Sequence, residues 1–99
     1  MAAYVIAEVD VTDPEVFEQY RREVPATLVP FGGRFVVRGG ATETLEGDWQ
    51  PKRLVVLEFP DRKAAKAWWD SPAYAAPKAL RQRCARTQLL IVEGIQAPQ

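Results

Sequence analysis

An α+β domain with the element order βαββαβ is what these 99 residues predict. Three observations carry the prediction. Four short segments rich in β-branched and aromatic residues are spaced along the chain. Helical patterns that open on proline lie between the first and second and between the third and fourth. The two halves also repeat weakly. Val5-Ile6-Ala7-Glu8-Val9 parallels Val55-Val56-Leu57-Glu58-Phe59, and Phe35-Val36-Val37-Arg38-Gly39 parallels Leu90-Ile91-Val92-Glu93-Gly94. Such pseudo-symmetry predicts a ferredoxin-like antiparallel sheet of spatial order 4-1-3-2 with both helices on one face. The chain is expected to be a single domain over 1–99, with a frayed tail from about 96 to 99.

Tyr4 to Val11 alternates as a strand, with Val5, Ala7, Val9 and Val11 on one face and Tyr4, Ile6, Glu8 and Asp10 on the other. Thr12-Asp13-Pro14-Glu15 starts a helix, capped either by Thr12 with Glu15 answering or by Asp13 with Pro14 at the first helical position. Phe17, Tyr20, Val24 and Leu28 recur at helical spacing, Pro25 predicts a kink or a restart, and Pro30 with Gly32-Gly33 ends the helix. Arg34–Arg38 is the second strand. A connection of about a dozen residues follows, long for a hairpin and therefore of functional interest. Arg53–Phe59 is the third strand. Pro60-Asp61 opens a second helix, Ser71-Pro72 stops it and caps another running from Pro72 to about Arg83 and interrupted by Pro77, and Gln88–Glu93 is the fourth strand.

Composition excludes several function classes. The chain has no histidine, which removes imidazole metal sites, the usual haem ligand and histidine-based triads. No metal and no cofactor is expected. The single Cys84 cannot form an intrachain disulfide, in keeping with a reducing, cytoplasmic setting. Formal net charge is zero, which weighs against nucleic acid as a partner, although the first half is acidic and the second basic. No apolar run approaches a membrane span and no signal peptide opens the chain, so no membrane partner is expected.

Helices on one side leave the other side of the sheet bare. Ile6, Val36, Leu54, Val56 and, on one assignment of the ambiguous fourth strand, Leu89 and Ile91 would lie there. Four five-residue strands present roughly 300 Å² of flat sheet, near the apolar patch a monomer tolerates. A second copy laid face to face is the simplest cover, which predicts a homodimer. Closing the long connection symmetrically puts Arg34 opposite Glu58, Val36 opposite Val56 and Arg38 opposite Leu54. The first strand adds Tyr4 beside Glu58 and Glu8 beside Leu54. Two rows result: Tyr4, Glu58, Arg34 and Glu8, Leu54, Arg38.

These rows admit two function readings. In one, Arg34 or Arg38 clamps a carboxylate or enolate oxygen of a small organic acid or carbonyl ligand, Glu58 or Glu8 moves protons as the catalytic carboxylate, and Tyr4, Trp49 or Tyr74 helps hold the ligand. In the other, all inner charges pair with one another and fix register and dimer geometry without catalysis. The glycine pairs are turn devices, because no Walker lysine follows them and Gly32-Gly33 leads into a strand. Arg81, Arg83 and Arg86 read as a solvated helix end favoured by the helix dipole. Cys84 reads as a small buried hydrophobe.

The ordered elements Tyr4–Val9, Asp13-Pro14, Phe31-Gly32-Gly33-Arg34-Phe35, Arg38-Gly39-Gly40, Leu45-Glu46-Gly47-Asp48-Trp49, Arg53–Phe59, Trp68–Tyr74 and Val92-Glu93-Gly94 span nearly the whole chain. Together they resemble the family known as domain of unknown function 1330, in the dimeric α/β-barrel superfamily. The resemblance implies the ferredoxin-like fold and a face-to-face homodimer, and brings no catalytic mechanism with it. The wider superfamily includes cofactor-free monooxygenases, lactone isomerases, polyketide cyclases and haem-degrading enzymes. Cofactor-free proton transfer, isomerisation or oxygenation is therefore what an enzymatic version here would perform, by analogy of fold alone.

Overall fold

Alternation in the first strand sets the architecture. In the computed structural model, which describes residues 1–95, strand β1 runs Ala3–Val11, with Ala3, Val5, Ala7 and Val9 buried and the intervening side chains half-exposed. Helix α1 (Pro14–Leu28) follows, then a 3-10 turn over Val29–Phe31, strand β2 (Arg34–Arg38), strand β3 (Leu54–Phe59), helices α2 (Arg62–Trp69) and α3 (Pro72–Cys84), and strand β4 (Ala85–Glu93). The sheet is antiparallel with order β2-β3-β1-β4, the ferredoxin-like order expected. The tail at Gln96–Gln99 lies outside the described residues. Among those described, no helix is long and apolar enough to cross a membrane.

Each helix begins where its cap residue dictates. Asp13, rather than Thr12, caps α1, its carboxylate accepting from the Val16 amide at 3.3 Å. Pro14 occupies the first turn, where its missing N–H costs nothing. The helix continues through Pro25 to Leu28 instead of restarting there, and the helix from Pro72 to Cys84 likewise runs through Pro77 without the expected interruption. Asp61 caps α2 by accepting from the Ala64 amide, and Ser71 caps α3 by accepting from the Tyr74 amide.

The helix layer buries an aromatic cluster against the sheet. Trp68 and Tyr74 have ring centroids 4.0 Å apart, and Phe59 lies 5.5 Å from Trp68. All three are fully buried. The Trp68 indole N–H donates to Thr27 Oγ1 at 3.0 Å, so its polar edge is satisfied inside the core. Of the adjacent tryptophans Trp68 is thus the core residue, while Trp69 is half-buried.

Two register details depart from the sequence reading. In β4, Ile91 pairs with Val5 and Leu89 with Ala7, so both pack under the helices, and Leu90 and Val92 take the open face. The strand also starts three residues earlier than expected, at Ala85. In β2, Arg34 faces Glu58 as expected, but a bulge at Val36 then shifts the pairing, so that Val37 opposes Val56 and Arg38 opposes Val55. A bulge adds one residue to one strand and reverses the facing of everything beyond it. Arg38 therefore leaves the open face and joins the helix side.

Gly33 is required by close approach. A Cβ there would lie 2.6 Å from Phe59 Cε1 in the fully packed aromatic cluster. Gly33→Ala is expected to lower unfolding free energy by about 1–3 kcal/mol, the usual cost of overpacking a core. Urea denaturation of the two proteins measures it, and equal midpoints would contradict the packing described.

Candidate functional site

The sequence-predicted site residues divide between the two faces of the sheet. On the open face, Tyr4, Glu58 and Arg34 form the row expected. Arg34 Nε donates to Glu58 Oε1 at 2.7 Å and the Tyr4 hydroxyl donates to Oε2 at 3.2 Å. Both carboxylate oxygens are thus engaged. The Tyr4 phenol is held above its ordinary pKa, first by the hydrogen bond to Glu58 and then by that group's charge, so it remains a donor. Glu8 stands on the same face with a looser contact, the Trp49 indole N–H at 3.4 Å. Trp49 is mostly exposed and comes from the long connection, so it covers the Glu8 end of the sheet.

Arg38 and Tyr74 belong elsewhere. Between the helix layer and the sheet lies a cavity lined by both, together with Tyr20, Arg21, Arg53 and Arg81. Its enclosed volume is about 40 Å³, where roughly 10–15 Å³ suffices for one water, and it opens to solvent at its mouth. The small side chains of β1 make the room: Ala7 and Val9 floor the cavity while α1 supplies Phe17, Tyr20 and Val24 above. The row that was to join Arg38 to Glu8 is consequently not formed.

Arg81 is the unusual group. It is 4 % exposed, against the expectation of a solvated helix end, and its Nε has no hydrogen-bond partner. Among the described residues the ion pairs are Arg21–Glu18, Arg34–Glu58 and Lys66–Asp70, so no carboxylate neutralises Arg81. Its guanidinium instead lies 6.0 Å from the Tyr20 ring and 6.0 Å from the Trp69 ring. Burial pushes its pKa down, the Tyr74 and Tyr20 hydroxyls push it up, and the balance is upward, so the charge persists. Arg81 also borders a second, more open hollow, where the Thr87 hydroxyl is likewise buried without a partner.

The two tyrosines complete the arrangement. Their hydroxyls lie 2.9 Å apart, one donating to the other. One O–H proton is used between them and the second is left for another acceptor. Burial, then the neighbouring Tyr74, raises the Tyr20 pKa, so this phenol stays protonated and acts as a donor rather than a base. No Asp or Glu lines this cavity. Chemically it is an apolar pocket with guanidinium and phenol donors and no acidic group, which suits an oxyanion-bearing ligand.

Sequence reasoning missed Tyr20, Arg21, Arg53 and Arg81. Tyr20 and Arg21 carry a weak signal, since they lie on the α1 stripe with Phe17 and Val24 or beside it. Arg81 carries one in hindsight. It sits seven residues after Tyr74, two helical turns along the same face, so a buried Tyr74 implies a buried Arg81.

Comparison with known proteins agrees with the fold. No curated protein matches the chain. Among solved structures, a protein of unknown function from Rhodopseudomonas palustris is similar with TM-score 0.76 and 18 % identity, covering 96 % of this chain and 83 % of the other. SnoaB, a cofactor-independent oxygenase from Streptomyces nogalater, is similar with TM-score 0.65 and 16 % identity, covering 99 % and 98 %. A dimeric ferredoxin-like protein of unknown function from Jannaschia sp. CCS1 gives TM-score 0.65 and 13 % identity, covering 95 % and 100 %. At such identities the likeness is one of fold. The match that reaches the family is to DUF1330, a domain of unknown function, over residues 2–95, and the chain belongs to that family.

Proposed function

We propose that this protein is a homodimer that binds a small organic anion in the cavity between its helix layer and its sheet. The observation that carries the reading is Arg81, a buried guanidinium with no carboxylate partner among the described residues. The Tyr20 and Tyr74 hydroxyls hold the charge in place but the Arg81 Nε has no partner, and an anionic ligand would accept from the guanidinium where no carboxylate of the described residues does. The free O–H of the Tyr20–Tyr74 pair adds a second donor beside it. The apolar walls select a ligand with a hydrocarbon or aromatic body. This moves the ligand from the open sheet face to the covered one, and with it the roles of Arg38 and Tyr74.

The open face is the dimer surface in this reading. Leu90 is 56 % and Val92 42 % exposed, and Ile6, Leu54 and Val56 lie in the same layer. The ferredoxin-like neighbour from Jannaschia is described as dimeric, which supports the same arrangement. The Tyr4–Glu58–Arg34 row then sits at the interface with its carboxylate satisfied, so Glu58 serves to fix geometry. Catalysis is a second reading, with the cofactor-independent oxygenase among the fold neighbours in its favour. Glu8 is the carboxylate better placed for it, since it makes a single long contact.

Two outcomes test these proposals. Sedimentation equilibrium is expected to find a dimer at micromolar concentration and a shift toward monomer for Leu90→Asp, which places a charge in the apolar layer; a monomeric wild-type chain overturns the dimer. Calorimetric titration with benzoate and with hexanoate is expected to show binding that falls at least about tenfold in Arg81→Gln, the loss of one charge-assisted contact. Glu58→Gln, on the other face, is expected to leave that binding unchanged. Benzoate and hexanoate binding that survives Arg81→Gln refutes the placement of the site.

A further inference from the structure

The reading above concerns one buried guanidinium, but the same cavity carries three more at its rim. Arg38 Nη2 donates to the Arg21 backbone carbonyl at 2.6 Å, which ties the Arg38 guanidinium to helix α1. The Arg53 guanidinium lies 5.4 Å from the Phe17 ring, and Arg38 lies 4.2 Å from the Phe35 ring. The Nε atoms of Arg21 and Arg53 are buried without partners. Against these three cations stands one ion pair among the described residues, Arg21 with Glu18 at 3.0 Å. The Arg53 pKa is lowered, first by burial and then by the charges of Arg21 and Arg38, which is the mark of crowded like charges.

Two backbone features build this rim. The bulge at Val36 turns Arg38 toward the helices. Gly39, at φ +72°, has its missing side chain's place taken by Arg53, since a Cβ there would lie 2.3 Å from Arg53 Nη1. Any other residue at Gly39 would push the Arg53 guanidinium off the cavity. Arg38 is exposed and Arg81 is buried, so the two positive groups mark the outer and inner ends of one pocket.

We infer that the ligand is a compact organic dianion, held at its inner end by Arg81 and at its outer end by Arg38 and Arg53, with an apolar body between. This rests on the proposed anion site at Arg81 and adds the second acidic group. A monoanion neutralises the inner charge and leaves Arg38 and Arg53 at the rim with no carboxylate partner among the described residues. A second carboxylate at the rim accepts from Arg53 and Arg38 together, in the forked geometry that guanidinium groups favour.

The test compares acids that differ only in the second carboxylate. Calorimetric titrations would use benzoate against its three dicarboxylate isomers, and linear monoacids against diacids of equal length from butane to octane. The wild-type protein is expected to bind at least one diacid about tenfold or more tighter than its matching monoacid, as a charge-assisted pair provides. Arg53→Gln and Arg38→Gln are expected to remove that advantage, lowering diacid affinity about tenfold more than monoacid affinity. Arg38 is exposed, so Arg38→Gln reads the effect without disturbing the core. Gly39→Ala is expected to reproduce the Arg53→Gln result. Equal affinity for mono- and diacids throughout the series, or a diacid advantage that survives both rim substitutions, overturns the dianion inference. If benzoate or hexanoate still binds and depends on Arg81, the simpler anion reading stands alone. If none of the acids binds, both readings fall.

Discussion

A four-stranded sheet covered by helices on one side only is the constraint from which the rest of the molecule follows. The period-2 alternation of β1 assigns Ala3, Val5, Ala7 and Val9 to the covered side and Tyr4, Ile6 and Glu8 to the bare side. On the covered side β1 supplies small side chains, while the helices and Phe59 of β3 supply large ones. Trp68, Tyr74 and Phe59 fill one end of that layer as a packed aromatic cluster. A second buried cluster forms around Ala7, Val9, Phe17 and Cys84, and the cavity lies between the two, with Trp68 and Tyr74 on one wall and Ala7, Val9 and Phe17 on the other.

Polar groups in that layer are arranged asymmetrically. Where the core is closed they are matched: Trp68 N–H with Thr27 Oγ1, and Thr27 Oγ1 in turn with the Val24 carbonyl at 2.7 Å. Where the cavity begins, the unpaired buried atoms gather, with the Nε atoms of Arg21, Arg53 and Arg81 all on its lining. Native cores leave few buried polar groups unsatisfied, and those that remain call for an explanation at the place where they occur. The bare face shows the reverse pattern. Its carboxylate at Glu58 has both oxygens occupied by its neighbours across the sheet, in the manner of a group that fixes register.

Much of the fold was legible because it depends on local pattern. The caps at Asp13, Asp61 and Ser71, the strand order and the pairing of Arg34 with Glu58 all follow from residue type, spacing and short connections. Less of the site was. The facing of Leu89 and Ile91 could not be read from an apolar run with no alternation, and pairing with Val5 and Ala7 decided it. Arg38 was expected opposite Leu54 and lies one position away, opposite Val55. A bulge has no side-chain signature in Arg34-Phe35-Val36-Val37-Arg38, and it arises from fitting a short strand against β3 while Gly39 makes room for Arg53.

By itself the sequence determined which segments are strands and helices, that the sheet is antiparallel in the order 4-1-3-2, and that one of its faces is left bare. Each of these rests on interactions between residues near in sequence or on alternation along one element. Tertiary structure alone decided that Arg38 and Arg81 meet the same cavity and that Arg34 does not. That outcome depends on a one-residue change of register between β2 and β3 and on the burial of a charge near the end of α3, where α3 packs against α1. A guanidinium in a sequence carries no mark of whether it will be solvated, and only the surrounding packing removes its water.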